Sequence, residues 1–263
     1  MKKKKYNVVL TIAGSDPSGG AGIQADIKTC SALGAYAMSV ITAITAQNSR
    51  GVIRSEGLSP DMVAAQLDAV LSDVAPDAVK IGMIPDACVA EVIADKLEKY
   101  HARNIVIDPV AISTSGHRLS ACDTIEVMQS RLFPLATLIT PNIPEAESIF
   151  PDIKTLLIYN VLLKGGHVIG ADTLTDRLYI RENSEPIPFT HRRINTHNTH
   201  GTGCTLSSAI AAYMARGMDL ETSVGNAIKW LSDAIAQGVD YTFGSGNGPV
   251  NHIYNQIEQW KSK

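Results

Sequence analysis

The chain has 263 residues, of which 45% are hydrophobic and 19% charged, and its formal net charge is -3. This is the balance of an ordinary globular protein, long enough to bury a large core without disulfide staples. No broad basic block offers a nucleic-acid surface, and no apolar stretch approaches the roughly 18 residues of a membrane span.

Lys2 to Lys5 form the one charge run and read as a solvated, flexible tail over residues 1–5. The apolar run Val8 to Ala13 behind it is too short for the core of a secretory signal. Cys30, Cys88, Cys122 and Cys204 have neither Cys-x-x-Cys nor zinc-finger spacing. Scattered cysteines of this kind point to a reducing cytoplasm.

In chain order, "VVLTIA" (8–13) predicts a buried strand ended by Gly14, and "IQADIKTCSALG" (23–34) a helix stopped by Gly34. "AMSVITAIT" (37–45) predicts a strand. "SPDMVAAQLDAVLSDV" (59–74) predicts a helix with Ser59 as N-cap and Pro60 in the first turn. "AVKIG" (78–82) predicts a strand, 86–102 an amphipathic helix and "NIVIDPV" (104–110) a strand. A helix follows near 121–132, then the strand "ATLIT" (136–140). "NVLLKGGH" (160–167) predicts a sixth strand, and 173–180 with 187–194 a short antiparallel pair. Helices at 205–217 and 219–238 complete the series.

Short apolar strands alternating with helices indicate a mostly parallel sheet covered on both faces, in a single domain spanning 1–263. Ligands of such sheets lie at the carboxyl ends of the strands. The stretches 14–22, 46–48, 82–84, 108–110 and 140–147 are predicted there.

"NTHGTGCTLSSAI" (198–210) places two glycines, two threonines, a histidine and a cysteine before a small-residue helix. A glycine turn at a helix start offers unpaired N–H groups and the positive end of the helix dipole, which together bind anions. A plain turn capped by a threonine would use the same residues. The P-loop, the dinucleotide fingerprint, His-Glu-x-x-His, Gly-x-Ser-x-Gly and the protein-kinase signature are all absent. An anion site on an α/β sheet without them points to another phosphoryl-transfer family.

"AGSDPSGGAGIQADIKT" (13–29), "AQNSRGV" (46–52), "KIGM" (80–83), "TPNIPEA" (140–146), "KGGH" (164–167) and "NTHGTGCTLSSA" (198–209) follow one another in register. With these strings the chain, from about residue 7 to 250, closely resembles the hydroxymethylpyrimidine and phosphomethylpyrimidine kinases of thiamine biosynthesis, ribokinase-like enzymes. The resemblance implies a three-layer αβα sandwich that uses ATP and Mg²⁺. It implies phosphorylation of 4-amino-5-hydroxymethyl-2-methylpyrimidine and then of its monophosphate. A cytoplasmic homodimer, with no nucleic-acid or membrane partner, is expected.

The resemblance also implies roles. Gly201, Thr202 and Gly203 form the anion hole, and Lys164 neutralises phosphate. Cys204 stands where sugar kinases of the superfamily carry a catalytic aspartate; a helix N-terminus is expected to lower its pKa, and the residue is expected to act as base or orienting group, with passive packing beside the substrate as the alternative. His200 is the other titratable group there, with a structural hydrogen bond as its simpler role. Asn142, Glu145, Lys164, Gly165 and Thr202 contact the nucleotide, and Asp108 with Glu145 hold the metal. Asp26 and Gln47 supply polar contacts to the pyrimidine, and Ala21, Met83 and Val110 wall it.

One segment departs from the family. Between "TPNIPEAESIF" and "NVLLKGGH" its members carry roughly fifteen to twenty more residues, where this chain has only "PDIKTLLIY" (151–159), close to the dozen or so that a crossover needs. Either the crossover helix is truncated or a mobile segment is missing from the sequence, and the second reading is preferred. Two other functions compete: pyridoxal kinase of the same thiol-bearing subgroup, and a non-catalytic pyrimidine-binding protein.

Overall fold

The computed structural model describes residues 4–110, 122–166 and 172–256. Lys2 and Lys3 of the tail, the first residue of the helix expected near 121–132, and His167 of "KGGH" lie outside them. The elements in order are β1 (Val8–Ser15), α1 (Gly22–Ala32), β2 (Tyr36–Asn48), β3 (Gly51–Gly57), α2 (Pro60–Leu71), β4 (Ala78–Ile81), α3 (Ala87–Lys99), β5 (Ile105–Ile107) and α4 (Cys122–Val127). They continue with β6 (Leu138–Ile139), α5 (Ile143–Ile149), α6 (Ile153–Leu156), β7 (Val161–Leu163), β8 (Thr173–Tyr179), β9 (Ile187–Arg192), α7 (Thr202–Ala215) and α8 (Leu220–Ala236).

The strands form a single nine-stranded sheet in the order β3-β2-β1-β4-β5-β6-β7-β8-β9. From β2 to β7 all pairings are parallel. The edge strands β3, β8 and β9 run antiparallel. Because strand residues alternate between faces, each short apolar run feeds two cores. Leu10, Ile12, Val79 and Ile81 pack with Val63, Leu67 and Ile93 on one face. Val9, Ala78 and Val106 pack with Cys30, Ile210 and Trp230 on the other. The expected αβα layering follows directly from that split. Since β1 lies between β2 and β4, the chain leaves it once in each direction, and the carboxyl end of β1 is a topological switch point.

Three segments differ from expectation. β3 was not predicted, and residues 46–48, expected beyond a strand end, are its pairing partners in β2. β3 sits at the sheet edge with Arg54, Ser55 and Glu56 exposed, so it lacks the apolar run that marks a buried strand. The helix near 121–132 is α-helical only to Val127, then widens into a π turn over Met128–Leu132 before Pro134. The short crossover holds two brief helices: Asn142 caps α5 and Asp152 caps α6, and Ile139 N donates to Asn160 O beside the start of β7.

One polar group crosses the second core. Lys80 of β4, fully buried, donates to both oxygens of Asp26 on α1 at 2.9 Å. Thr11 of β1 (2.5 Å) and Ser208 of α7 (2.7 Å) donate to the same carboxylate. Burial opposes the Lys80 charge, but the adjacent Asp26 carboxylate outweighs it and keeps the ammonium protonated. Removing one partner of such a pair leaves an uncompensated buried charge. Lys80→Met is therefore expected to cost about 3–5 kcal/mol in urea unfolding, and adding Asp26→Leu should recover most of it. A single-variant loss below about 1 kcal/mol would show that the pair does not hold the fold together.

Candidate active site

A cavity of about 820 Å³ opens at the carboxyl ends of β1, β4 and β5. It is lined by Ala21, Gln47, Met83, Asp108, Val110, Asn142, Glu145, Lys164, Gly201, Thr202, Gly203 and Cys204. Every site residue expected from the sequence is there except two. Asp26 lies beneath the floor, fully buried, its carboxylate taken up by Lys80, Thr11 and Ser208, so it is a structural anchor where a substrate contact was expected. Gly165 faces β8 rather than the cavity: its N–H donates to Asp176 Oδ1 at 2.7 Å, and a Cβ there would stand 2.2 Å from Thr175 O. Gly166 lines the wall in its place.

The loop before α7 is shaped by close backbone approach. Gly201, the N-cap, has φ +78°, and a Cβ on it would stand 1.8 Å from Gly20 O. Only glycine fits there. A Cβ on Gly203 would stand 3.3 Å from Asp108 Oδ2 and 3.5 Å from Lys164 Nζ. The first turn of α7 thus faces a charged pair directly.

That pair is short: Lys164 Nζ donates to Asp108 Oδ1 at 2.7 Å, and Thr140 Oγ1 adds a 3.1 Å bond to the same oxygen. Both residues sit where strands end, Asp108 just after β5 and Lys164 just after β7. Glu145 completes the cluster. It forms a capping box with Asn142, each side chain bonded at 2.8 Å to the other's backbone N–H. Burial pushes its carboxyl up to about 6, with Lys164 pulling it down and Asp108 pushing it further up. Asp108 Oδ2 and Glu145 Oε1 accept no hydrogen bond among the described residues.

Cys204 departs from one part of its expectation, the thiolate. Burial pushes its thiol up to about 11, against the pull of the Lys80 ammonium and a hydrogen bond from the Gly22 backbone. Desolvation of the thiolate exceeds what these two return. In the free protein the group is a neutral thiol.

At the other end of the cavity, His200 Nε2 lies 2.8 Å from Asp16 Oδ2 and 3.2 Å from Gln47 Nε2. Asp16 also accepts from Ser18 N and Oγ, Gly20 N and Ala21 N, which folds the glycine-rich segment 14–22 around one carboxylate. Asp16 was passed over in the sequence because it sits among turn residues, where an acid reads as turn chemistry. Also unforeseen were Asp176 and His191, paired at 3.2 Å, and the α8 side chains Ile228, Leu231 and Ile235, which wall the lobe beyond Lys164. An amphipathic helix gives no sign of which apolar residues meet a cavity rather than a core.

A family model described as phosphomethylpyrimidine kinase matches residues 16–251. A hydroxymethylpyrimidine/phosphomethylpyrimidine kinase of Salmonella typhimurium is 47% identical over 260 residues, covering 93% of this chain and 97% of that protein. A phosphomethylpyrimidine kinase structure from Clostridium difficile superposes with a TM-score of 0.73 at 42% identity, covering 87% and 99% of the two chains. An ADP complex of Bacillus subtilis pyridoxal kinase reaches 0.85 at 30% identity, covering 96% and 100%.

The Asp16 network carries a pH signature. Burial raises the Asp16 pKa, but the hydrogen bonds from His200, Ser18 and Ala21 outweigh it and hold the carboxyl at about 2, below its unperturbed 3.8. A depressed carboxyl stabilises the fold above its unfolded pKa and loses that contribution as pH falls through the folded value. Asp16→Asn should cost roughly 1–2 kcal/mol at pH 7, and the gap to wild type should close between about pH 4 and 2 in urea melts. A gap unchanged across that window would rule out the network as its source.

Proposed function

The chain belongs to the phosphomethylpyrimidine kinase family, and from that premise we propose that it transfers the γ-phosphoryl group of ATP to 4-amino-5-hydroxymethyl-2-methylpyrimidine. The monophosphate is then the acceptor of a second transfer, giving the diphosphate used in thiamine biosynthesis. The observation that carries this reading is the meeting of the Gly201–Gly203 loop with the Asp108–Lys164 pair in one cavity. Phosphoryl transfer needs little covalent help from the protein and a great deal of positioning and charge neutralisation.

The pyrimidine occupies the lobe of Ala21, Gln47, Met83 and Val110, with the Gln47 amide reading the aminopyrimidine edge. The nucleotide occupies the opposite lobe, beside Asn142, Glu145, Lys164, Thr202, His191 and α8. The α7 N-terminus lies between the lobes, and its N–H groups take the charge on the transferring group. Lys164 neutralises phosphate oxygens. Asp108 and Glu145 fit a magnesium ion, which takes one or two carboxylates and completes its shell with water and phosphate oxygens. Each offers one oxygen that accepts no other hydrogen bond among the described residues. The bound ion would supply charge neutralisation across the phosphates.

Cys204 orients the acceptor hydroxyl as a neutral thiol. Its proton-accepting form becomes available only as pH rises toward about 11. The exposed edge strand β3, with Ile53 outward, is where a second copy would pair to form a homodimer. No helix among the described residues is long and apolar enough to cross a membrane. The free thiols of Cys30, Cys88 and Cys204 are compatible with the cytoplasm.

Mass spectrometry of products after incubation with Mg²⁺–ATP tests the reading, with the hydroxymethylpyrimidine, its monophosphate and pyridoxal supplied together. Conversion of the first two to the diphosphate is expected, and phosphorylation of pyridoxal alone would reassign the substrate. Cys204→Ala should lower kcat by about tenfold or more. Gly203→Val should abolish transfer while pyrimidine binding persists in calorimetry, and normal transfer by this variant would remove the anion loop from the mechanism.

A further inference from the structure

Residues 244–252 run outside the cavity, yet they meet three of the segments at its acceptor end: the turn at Ser49, the loop of His200 and the glycine-rich segment at Gly20. Gly246 N donates to Ser49 Oγ at 3.2 Å and Asn247 N to Ser49 O at 2.9 Å, which fixes the turn after Gln47. Gly246 lies so close that a Cβ would stand 2.0 Å from Ser49 O. His200 N donates to Gly248 O at 3.0 Å, and His200 bridges to Pro249. A Cβ on Gly20 would meet both His200 and Pro249. The segment then turns inward, with Val250 in the second core.

His252 is the inner end of this brace and is 4% exposed. Its Nε2 lies 2.9 Å from Thr205 Oγ1, in the first turn of α7. Thr205 Oγ1 is in turn 2.8 Å from the carbonyl of Gly201, the left-handed N-cap of that helix. The chain of contacts therefore runs from His252 through one hydroxyl to the residue that orients the loop N–H groups. Burial pushes the His252 ring down to about 4, helped by the positive charge of Lys28 and by His200. The ring is neutral near pH 7, and the contact does not switch there.

We propose that His252 is a positioning residue for the anion loop, acting through Thr205 on Gly201, and that residues 244–252 hold the acceptor half of the site in its transfer geometry. The assignment rests on the reading of Gly201–Gly203 as the phosphoryl site. A glutamine at 252 carries both an amide N–H and a carbonyl at about the reach of Nε2, so it replaces the contact whichever partner carries the proton.

The test compares wild type with His252→Ala and His252→Gln in the full chain. Hydrogen exchange of a peptide covering 199–206 reads the loop without reference to activity. His252→Ala should speed its exchange by about tenfold, while peptides from β1 and β4 keep wild-type rates and His252→Gln stays within about threefold. In turnover, His252→Ala should lower kcat about tenfold with the pyrimidine dissociation constant within twofold, and His252→Gln should restore most of it. Loop exchange unchanged in His252→Ala, or a glutamine variant as impaired as alanine, overturns the proposal. If His252→Ala does not fold, Thr205→Val against Thr205→Ser reads the same contact from the other side, with the valine expected to show the loss. Should wild type show no transfer at all, the kinase reading fails, and the exchange experiment still decides the positioning claim.

Discussion

The ion pair between Lys80 and Asp26 is the constraint on which the site depends. It joins β4 to α1, and through Thr11 and Ser208 it also fixes β1 and α7. These four elements meet at the switch point of the sheet, so the pair sets how the amino ends of α1 and α7 stand over the ends of β1 and β4. A lysine and an aspartate taken fully out of water cost several kcal/mol each and return it only with near-complete hydrogen bonding. Asp26 has that bonding, with three donors making four hydrogen bonds to its two oxygens. The directional requirement makes the junction specific: a hydrophobic substitute would fill the space without fixing the angle between α1 and α7.

Above that floor, geometry and charge are divided between two sets of residues. Gly201 lets backbone approach backbone at a distance that a side chain would forbid, and Gly203 brings the first turn of α7 close against the Asp108–Lys164 pair. Charge comes from strand ends, where Asp108, Lys164 and the capped Glu145 are held by rigid elements rather than by loops. Rigid supports matter because transfer is sensitive to displacements of an ångström. The loops of the proposed acceptor lobe are tied to one another through Asp16, His200 and Gln47.

Most of the parallel sheet and its helices were legible in the sequence, because short apolar runs between capped helices admit few other arrangements. Ser59 and Pro60 open α2 as expected, and the antiparallel pair β8 and β9 forms where alternation predicts it. β3 was not legible, since an exposed edge strand has no buried face to impose a pattern. Motif resemblance found twelve cavity residues but misplaced Asp26: a motif records which residues travel together, not which side of a helix each occupies. For Cys204 the sequence shows the helix N-terminus and hides the desolvation that raises the thiol pKa, because burial, like the charges of Asp26 and Asp108 that add to it, comes from residues distant in the chain. Lys80 lies within "KIGM", and nothing local in that string marks it as the buried partner of Asp26.

A two-step kinase must present the same anion loop to an alcohol and then to a phosphate monoester one phosphoryl group longer. The acceptor lobe must therefore admit both lengths, while the loop between the lobes must not move. The acceptor lobe is closed by glycine-rich segment 14–22 and the turn after Gln47, which are joined by side-chain hydrogen bonds such as those of Asp16 and His200. The anion loop is fixed from both sides: by Gly20 against Gly201 within, and by Thr205 and His252 behind. A neutral thiol suits this arrangement better than a thiolate would. An anion at Cys204 would repel the phosphate of the second acceptor and the transferring group alike, whereas a thiol can orient either acceptor oxygen without added charge. The burial that defeats the expected thiolate thus serves the second transfer as well as the first.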